Sequence, residues 1–265
     1  MAREEPEGKR DDVLASIIIV GTEILKGLIV DTNSVWLIRK LNSLGVPIRN
    51  VLVVRDDIDD IANAVNFSMK RSNLIIIVGG LGPTIDDVTR EGVSKALGRS
   101  LIISEELLSE IKKFYRAKGK AMTKERIKMG YIIEGAKVLS NPVGVAPGQK
   151  ILHDDHIIYI LPGPPKELKS IFIHHIEREL KKLFSNRRPS RFIYILRGVG
   201  ESDIAPFLSS FTEELGKKIY IKTILSSKEI KLVIECWTDD CKAIINKLIS
   251  ELEKICIVEE ERKNV

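Results

Sequence analysis

Two short runs of aliphatic residues limit most strongly what this chain can become. Leu14-Ala15-Ser16-Ile17-Ile18-Ile19-Val20 and Asn73-Leu74-Ile75-Ile76-Ile77-Val78 each run straight into glycine, at Gly21 and at Gly79-Gly80. Neither run alternates apolar with polar residues. A strand without alternation is buried on both faces, as in a parallel sheet covered by helices. The stretches between fit that arrangement. Residues 32–44 place Val35, Leu37, Ile38, Leu41 and Leu44 on one helical stripe and close at Gly45. Residues 48–54 form a further strand. Residues 57–70 carry Ile58, Ile61, Ala62, Val65 and Met69 on one side, with acids in the first turn.

The same alternation continues: helices at 88–97 (closed by Gly98) and 105–118, a strand at 156–161, and a long helix at 166–184. Strands alternating with helices predict a three-layer α/β/α sandwich with a mostly parallel sheet. A polar break at Ser185-Asn186-Arg187-Arg188-Pro189-Ser190 reads as a linker. Beyond it come a strand at 192–196, a helix at 201–215, strands at 219–225 and 229–237, and a helix at 239–254, a small α+β subdomain. The expected organisation is a frayed tail over 1–12, a main domain over 13–185 and the subdomain over 190–258.

Composition removes several classes of function. Lys and Arg total 42 against 37 Asp and Glu, a formal charge of +5 with no basic block. Nucleic acid is therefore not the expected partner. No apolar run reaches the roughly 20 residues that span a bilayer, and residues 1–12 lack the apolar stretch of a signal peptide. A cytoplasmic protein with no membrane partner is expected. The three cysteines, Cys236, Cys241 and Cys256, are odd in number and unevenly spaced. They read as reduced thiols, neither a disulfide framework nor a metal set. The four histidines read as surface residues, and Trp36 and Trp237 as core. Gln149 is the sole glutamine in a chain rich in Ile, Lys and Glu, a composition expected of a thermophile.

Ligands of open α/β sheets bind beyond the carboxyl ends of the strands. Three such ends carry distinctive loops: Gly21-Thr22-Glu23, Gly79-Gly80-Leu81-Gly82-Pro83-Thr84-Ile85-Asp86-Asp87-Val88-Thr89, and Pro162-Gly163-Pro164-Pro165-Lys166-Glu167. In a parallel sheet they converge. Glycines admit backbone N–H groups close to a phosphate, and a following helix start favours an anion. Asp86 and Asp87 stand where hard oxygen ligands would hold a divalent cation such as Mg²⁺, Mn²⁺ or Co²⁺. The plainer alternative is a tight turn in which Thr84 or Asp86 caps the helix.

Glu23 is placed to act as general base or metal ligand. Asp31 or Thr32 is expected to cap the next helix, which leaves Asn33 for a ligand. The stiff turn with Gly163 and Pro164 and the irregular Asn141-Pro142-Val143-Gly144-Val145-Ala146-Pro147-Gly148 segment are candidate pocket walls. The candidate set is thus Glu23, Asp86 and Asp87 for catalysis, Asp86 and Asp87 for metal, and Gly21, Asn33, Gly79, Gly80, Gly82, Pro83, Thr84, Thr89, Gly148, Gly163 and Pro164 for ligand.

These motifs, with Gly21-Thr22-Glu23-Ile24-Leu25-Lys26-Gly27, Asp31-Thr32-Asn33, Leu161-Pro162-Gly163-Pro164-Pro165-Lys166-Glu167-Leu168 and Gly198-Val199-Gly200-Glu201-Ser202, resemble the N-terminal region of CinA-type competence/damage-inducible proteins. That region is a molybdopterin-binding (MoCF) domain. The resemblance implies the three-layer fold and the homo-oligomers common in the family. It also implies metal-dependent cleavage of ADP-ribose, or of an FAD-like dinucleotide, at its pyrophosphate. The alternative it implies is a non-catalytic molybdopterin- or nucleotide-binding protein linked to molybdenum cofactor biosynthesis. Thr22 stands where bacterial members usually have Asp, and Ile133 replaces a usual proline. The C-terminal amidohydrolase domain of longer members is not expected here.

Overall fold

The computed structural model describes residues 13–184, 189–226, 229–238 and 240–261. The tail expected over residues 1–12 and residues 185–188 of the expected linker lie outside them. The chain divides into two compact units, Met1–Ser185 and Asn186–Val265.

The first unit opens with β1 (Ala15–Val20), buried along its whole length, then the one-turn α1 (Thr22–Leu25). Next come α2 (Thr32–Ser43), β2 (Ile48–Val54), α3 (Ile58–Met69) and β3 (Leu74–Val78), then α4 (Thr89–Leu97), β4 (Leu101–Ile103), α5 (Glu105–Ala117) and α6 (Lys124–Lys128). The unit ends with β5 (Tyr131–Ile133), β6 (Lys137–Leu139), β7 (Gly148–His153), β8 (His156–Leu161), α7 (Pro165–Ile171) and α8 (Glu177–Leu183). The sheet runs β2-β1-β3-β8-β7-β6. Its first four strands are mutually parallel, while β7 and β6 are antiparallel to their neighbours.

Strand residues alternate between two cores, as the pleat requires. Ile17, Ile19, Ile76 and Val78 pack with Leu37, Leu41, Leu168 and Phe172 from α2 and the α7–α8 region. Ile18, Val20, Ile75 and Ile77 pack with Ile61, Val65, Val93 and Ile111 from α3, α4 and α5. The result is the three-layer α/β/α sandwich with a mostly parallel sheet. Asp31 and Asp57 cap α2 and α3, each accepting two main-chain N–H bonds.

The single long helix expected over 166–184 is broken by a π turn, Phe172–Ile176, between α7 and α8. Phe172, Ile176, Leu180 and Phe184 are all buried at strict four-residue spacing. In an α-helix such a stripe drifts by about 40° per step, and one wider turn takes up the slack. Strands β4 to β6, with 3 residues each, carry too few residues for periodicity to reveal them, and β7 is not among the strands expected from sequence either. There the lone Gln149 is buried and serves the fold: Oε1 accepts from the Ile133 N–H (3.0 Å) and Nε2 donates to Tyr131 O (3.2 Å). The side chain thereby ties β5 to β7.

The second unit comprises β9 (Ser190–Arg197), α9 (Glu201–Leu215), β10 (Ile219–Leu225), β11 (Ile230–Cys236), α10 (Cys241–Leu252) and β12 (Ile257–Glu260). Its sheet, in the order β10-β11-β9-β12, is antiparallel throughout. Leu196, Leu232 and Ile234 of that sheet pack on Ile204, Ile245, Leu248 and Leu252 of the helices.

Two expectations fail in this unit. Cys236 and Cys241 form a disulfide across 5 positions of sequence, with Cα atoms 5.8 Å apart, and only Cys256 is a free thiol. The turn from β11 into α10 brings this pair together locally, which an odd total count does not exclude. Trp237 lies just past the end of β11 and is 44% exposed, outside the core. Trp36 does meet the core, edge-on to Phe172 at 5.4 Å between ring centroids. Among the described residues no helix is long and apolar enough to cross a membrane.

Candidate functional site

Because β1, β3 and β8 are adjacent and parallel, their carboxyl ends open on one edge. The loops that follow them wall a cavity of about 750 Å³. Of the residues singled out from sequence, Glu23, Asn33, Gly79, Gly80, Gly82, Pro83, Asp86, Asp87, Gly163 and Pro164 line it. Gly21, Thr84, Thr89 and Gly148 do not appear on its wall. Gly21 is buried and donates its N–H to Val54 O (3.0 Å). Gly148 begins β7, where a Cβ would meet Ile160 O at 3.0 Å, so it serves sheet packing rather than ligand contact.

The glycine-rich loop is held from behind. Every carbonyl from Gly79 to Gly82 is bonded towards the start of α4. Thr89 Oγ1 donates to Gly79 O (2.9 Å) and the Thr89 N–H to Gly80 O (3.2 Å). Arg90 donates to Leu81 O (3.1 and 3.2 Å) and to Gly82 O (3.4 Å). In a trans peptide the carbonyl and the next N–H point oppositely, and no peptide here is cis. The N–H groups of Gly80, Leu81 and Gly82 therefore face away from the helix start. Among the described residues none of the three finds a protein acceptor. Gly79 differs, since its N–H is used by Leu161 O (3.0 Å). The expectation that Gly79 offers its amide to a phosphate is corrected accordingly.

Glycine is required here by geometry. Gly79 (φ 106°) and Gly80 (φ 63°) occupy the left-handed region. A Cβ on Gly80 would lie 2.2 Å from Thr89 Oγ1, and one on Gly82 would lie 2.6 Å from Asp87 Oδ2.

The two acids of the loop play different parts. Asp87 Oδ2 accepts the Thr84 N–H (2.7 Å) and, at very short range, the Thr84 hydroxyl. The neighbouring Asp86 is exposed. The Thr84 hydroxyl beside it and its own backbone N–H hold its carboxyl below the usual carboxylate range. A hydroxyl has one proton, so the two carboxylates compete for it, and Asp87 holds it here. Neither Thr84 nor Asp86 caps α4: the N-cap position is Val88, without a side-chain bond.

Asn33 reaches across the cavity floor. Its Nδ2 donates to Gly163 O (2.8 Å), fixing the Pro162–Pro164 turn, while its buried Oδ1 has no partner among the described residues. Thr22 exchanges two bonds with Asp56: its N–H donates to Asp56 Oδ2 (2.7 Å) and its hydroxyl accepts the Asp56 N–H (3.0 Å). The departure at Thr22 is thus absorbed by a structural clasp. Asp56 itself lines the cavity, as do Asp31 and Glu167. Glu167 accepts from Asn141 Nδ2 (2.6 Å), and a Cβ on Gly144 would strike it at 2.2 Å. The 141–148 segment is locked onto α7 in this way.

Asp56 and Arg90 were not among the residues expected at the site, and Glu167, inside an expected loop, had no expected role. Asp56 carried a usable signal, an acid just past the end of a strand that points to the same edge. Arg90 carried none, since nothing in sequence marks an arginine for burial.

Residues 16–182 match the MoCF_biosynth family, described as a probable molybdopterin binding domain. The chain is 40% identical over 215 residues to a protein of Pyrobaculum aerophilum, covering 79% of each chain. It is 34% identical over 245 residues to a CinA-like protein of Petrotoga mobilis, covering 91% of this chain and 59% of that one. Among solved structures it is similar to the protein CinA, of unknown function, from Thermoplasma acidophilum, with 41% identity and a TM-score of 0.59. That match covers 63% of this chain and 96% of the other. The chain belongs to the MoCF_biosynth family and stands among its CinA-like members.

Proposed function

We propose that this protein is a metal-dependent hydrolase of nucleotide pyrophosphates, with ADP-ribose or an FAD-like dinucleotide as substrate. The observation that carries the proposal is the row of unpartnered N–H groups at Gly80, Leu81 and Gly82 beside Asp86 and Asp87. Amides fixed by their own carbonyl bonds are pre-set for a developing negative charge and need no rearrangement during reaction.

The wall's charge supports a cation requirement. Glu23, Asp31, Asp56, Asp86, Asp87 and Glu167 line the cavity, and among the described residues no lysine or arginine does. A pyrophosphate entering alone would face only like charges. Asp86 and Asp87 fit a divalent cation in donor chemistry: two neighbouring hard carboxylates, with substrate phosphate oxygens to complete the shell, are the usual Mg²⁺ pattern. A cation bound there would polarise the phosphate and offset its charge. Glu23, exposed at the cavity, then accepts a proton from the attacking water. Water adds to phosphorus as the bridging P–O bond breaks, and ADP-ribose yields AMP and ribose 5-phosphate.

The test is chromatography of purified protein incubated with ADP-ribose, FAD or NADH and Mg²⁺, Mn²⁺ or Co²⁺. The expected result is AMP release that stops on chelation and falls at least a hundredfold in Asp87→Ala. No release from any substrate with any of the metals would refute hydrolysis. The family's description as a probable molybdopterin binding domain motivates a second reading, a pterin- or nucleotide-binding protein without turnover, linked to molybdenum cofactor biosynthesis. Ligand binding that is lost in Asp87→Ala, with no turnover in the parent, would select it.

A further inference from the structure

Arg90 is 1% exposed, one of the largest fully buried side chains of the molecule. Its guanidinium bonds only to the carbonyls of Leu81 and Gly82, and among the described residues no carboxylate forms an ion pair with it. Asp87 and Glu91 are near enough to be felt, while burial pulls its pKa below the ordinary value. Glu91 is engaged by Lys128 at 3.4 Å. An arginine remains charged under such conditions. A buried cation with no acid partner is a costly way to fasten a loop, and neutral donors would do so at lower cost.

We propose that Arg90 is the positioning residue of the anion site. By gripping the Leu81 carbonyl it orients the Gly82 N–H of the same peptide towards a bound phosphate, its bond to Gly82 O steadies the loop at Pro83, and it supplies from beneath the loop the positive charge that the cavity wall lacks. The gripped Leu81–Gly82 peptide is also polarised, which strengthens the Gly82 N–H as a donor, whereas the Gly82–Pro83 peptide has no N–H to strengthen. The ligand class this selects is a phosphoanhydride rather than a neutral nucleoside or pterin ring. The proposal rests on the anion-binding role of the loop.

The experiment is titration calorimetry of wild type, Arg90→Met and Arg90→Lys with ADP-ribose and Mg²⁺, at low and moderate salt, after thermal melts establish folding. Arg90→Met is expected to bind at least tenfold more weakly and with a flatter salt dependence. Arg90→Lys, which keeps the charge but not the fork, is expected to recover part of the loss. Affinity within twofold of wild type in Arg90→Met, or Arg90→Lys no better than Arg90→Met, would overturn the proposal. If Arg90→Met does not fold, Arg90→Gln, which keeps N–H donors for Leu81 O without the charge, makes the same comparison. Wild type that binds neither ADP-ribose nor inorganic pyrophosphate would refute the loop's anion-binding role, and Arg90's with it. Normal wild-type binding with unaffected variants would refute Arg90's role alone.

Discussion

Replacing Gly80 by alanine should damage the loop in two separable ways. At φ 63° a Cβ costs about 1–2 kcal/mol of backbone strain. The same Cβ would sit 2.2 Å from Thr89 Oγ1, so the hydroxyl must leave its buried 2.9 Å bond to Gly79 O. Losing a buried hydrogen bond adds about 1–3 kcal/mol, for a total of about 2–5 kcal/mol. In a domain of this size that lowers Tm by roughly 5–20 °C. Thr89→Ala alone loses the same hydrogen bond. The double variant loses it once, whereas the sum of the singles counts it twice. The coupling energy should therefore equal the hydrogen-bond share, about 1–3 kcal/mol.

Denaturant unfolding followed by Trp36 fluorescence isolates the first unit, provided Trp237 is first replaced by Phe. Trp36 packs edge-on to Phe172 in that unit, whereas Trp237 is 44% exposed in the other. A double variant whose destabilisation equals the sum of the singles to within about 0.5 kcal/mol would refute the claimed contact. So would a Gly80→Ala protein as stable as its parent.

The Cys236–Cys241 disulfide closes a loop spanning 5 positions, which corresponds to about 2 kcal/mol of chain entropy. Thiol titration of unreduced, denatured protein should find one reactive group per chain, and finding three would contradict the bridge. Asn33→Ala removes the 2.8 Å bond to Gly163 O. It should weaken ADP-ribose binding about tenfold while costing about 1 kcal/mol of stability, and calorimetry with unchanged affinity would count against Asn33 as the brace of that turn. Glu177 lies between Lys181 (2.6 Å) and Lys40 (2.9 Å), whose bonds hold its carboxyl below the usual range. A lowered folded-state pKa gives stability that is present above the unfolded value and is lost as pH falls through the folded one. Glu177→Gln should thus be about 1 kcal/mol less stable than wild type at pH 7. The gap should close in melts taken well below pH 4, and a gap independent of pH would refute the pairing.

Much of the layered fold was readable because its signal is continuous. The unbroken runs at Ile17–Val20 and Leu74–Val78 can hardly be anything but doubly buried strands, and α2 and α3 begin with their own caps, Asp31 and Asp57. What escaped depends on contacts distant in sequence. Strands β4 to β6 have 3 residues each, and β5 is tied to β7 by one glutamine 16 positions away. The π turn arises from a drift of phase that only the packed helix reveals. At the site, although a plain tight turn accounts for them as well as a ligand loop does, three glycines directly after a buried strand stood out in the sequence. Their division of labour did not. Gly79 gives its amide to Leu161, and Gly82 makes room for the Asp87 carboxylate.

That division also shows how acids could crowd the proposed anion site. The anion contacts proposed here come from backbone N–H groups, which carry no net charge and occupy no side-chain volume. The side chains would then be free to be carboxylates that hold a cation, with the positive balance supplied by Arg90 beneath the loop. Three kinds of substitution should therefore separate. Loss of Asp86 or Asp87 should change which metals support turnover. Loss of Arg90 should change affinity and salt dependence with every metal. Alanine at Gly80 should disturb both, because it moves the frame on which the others are set.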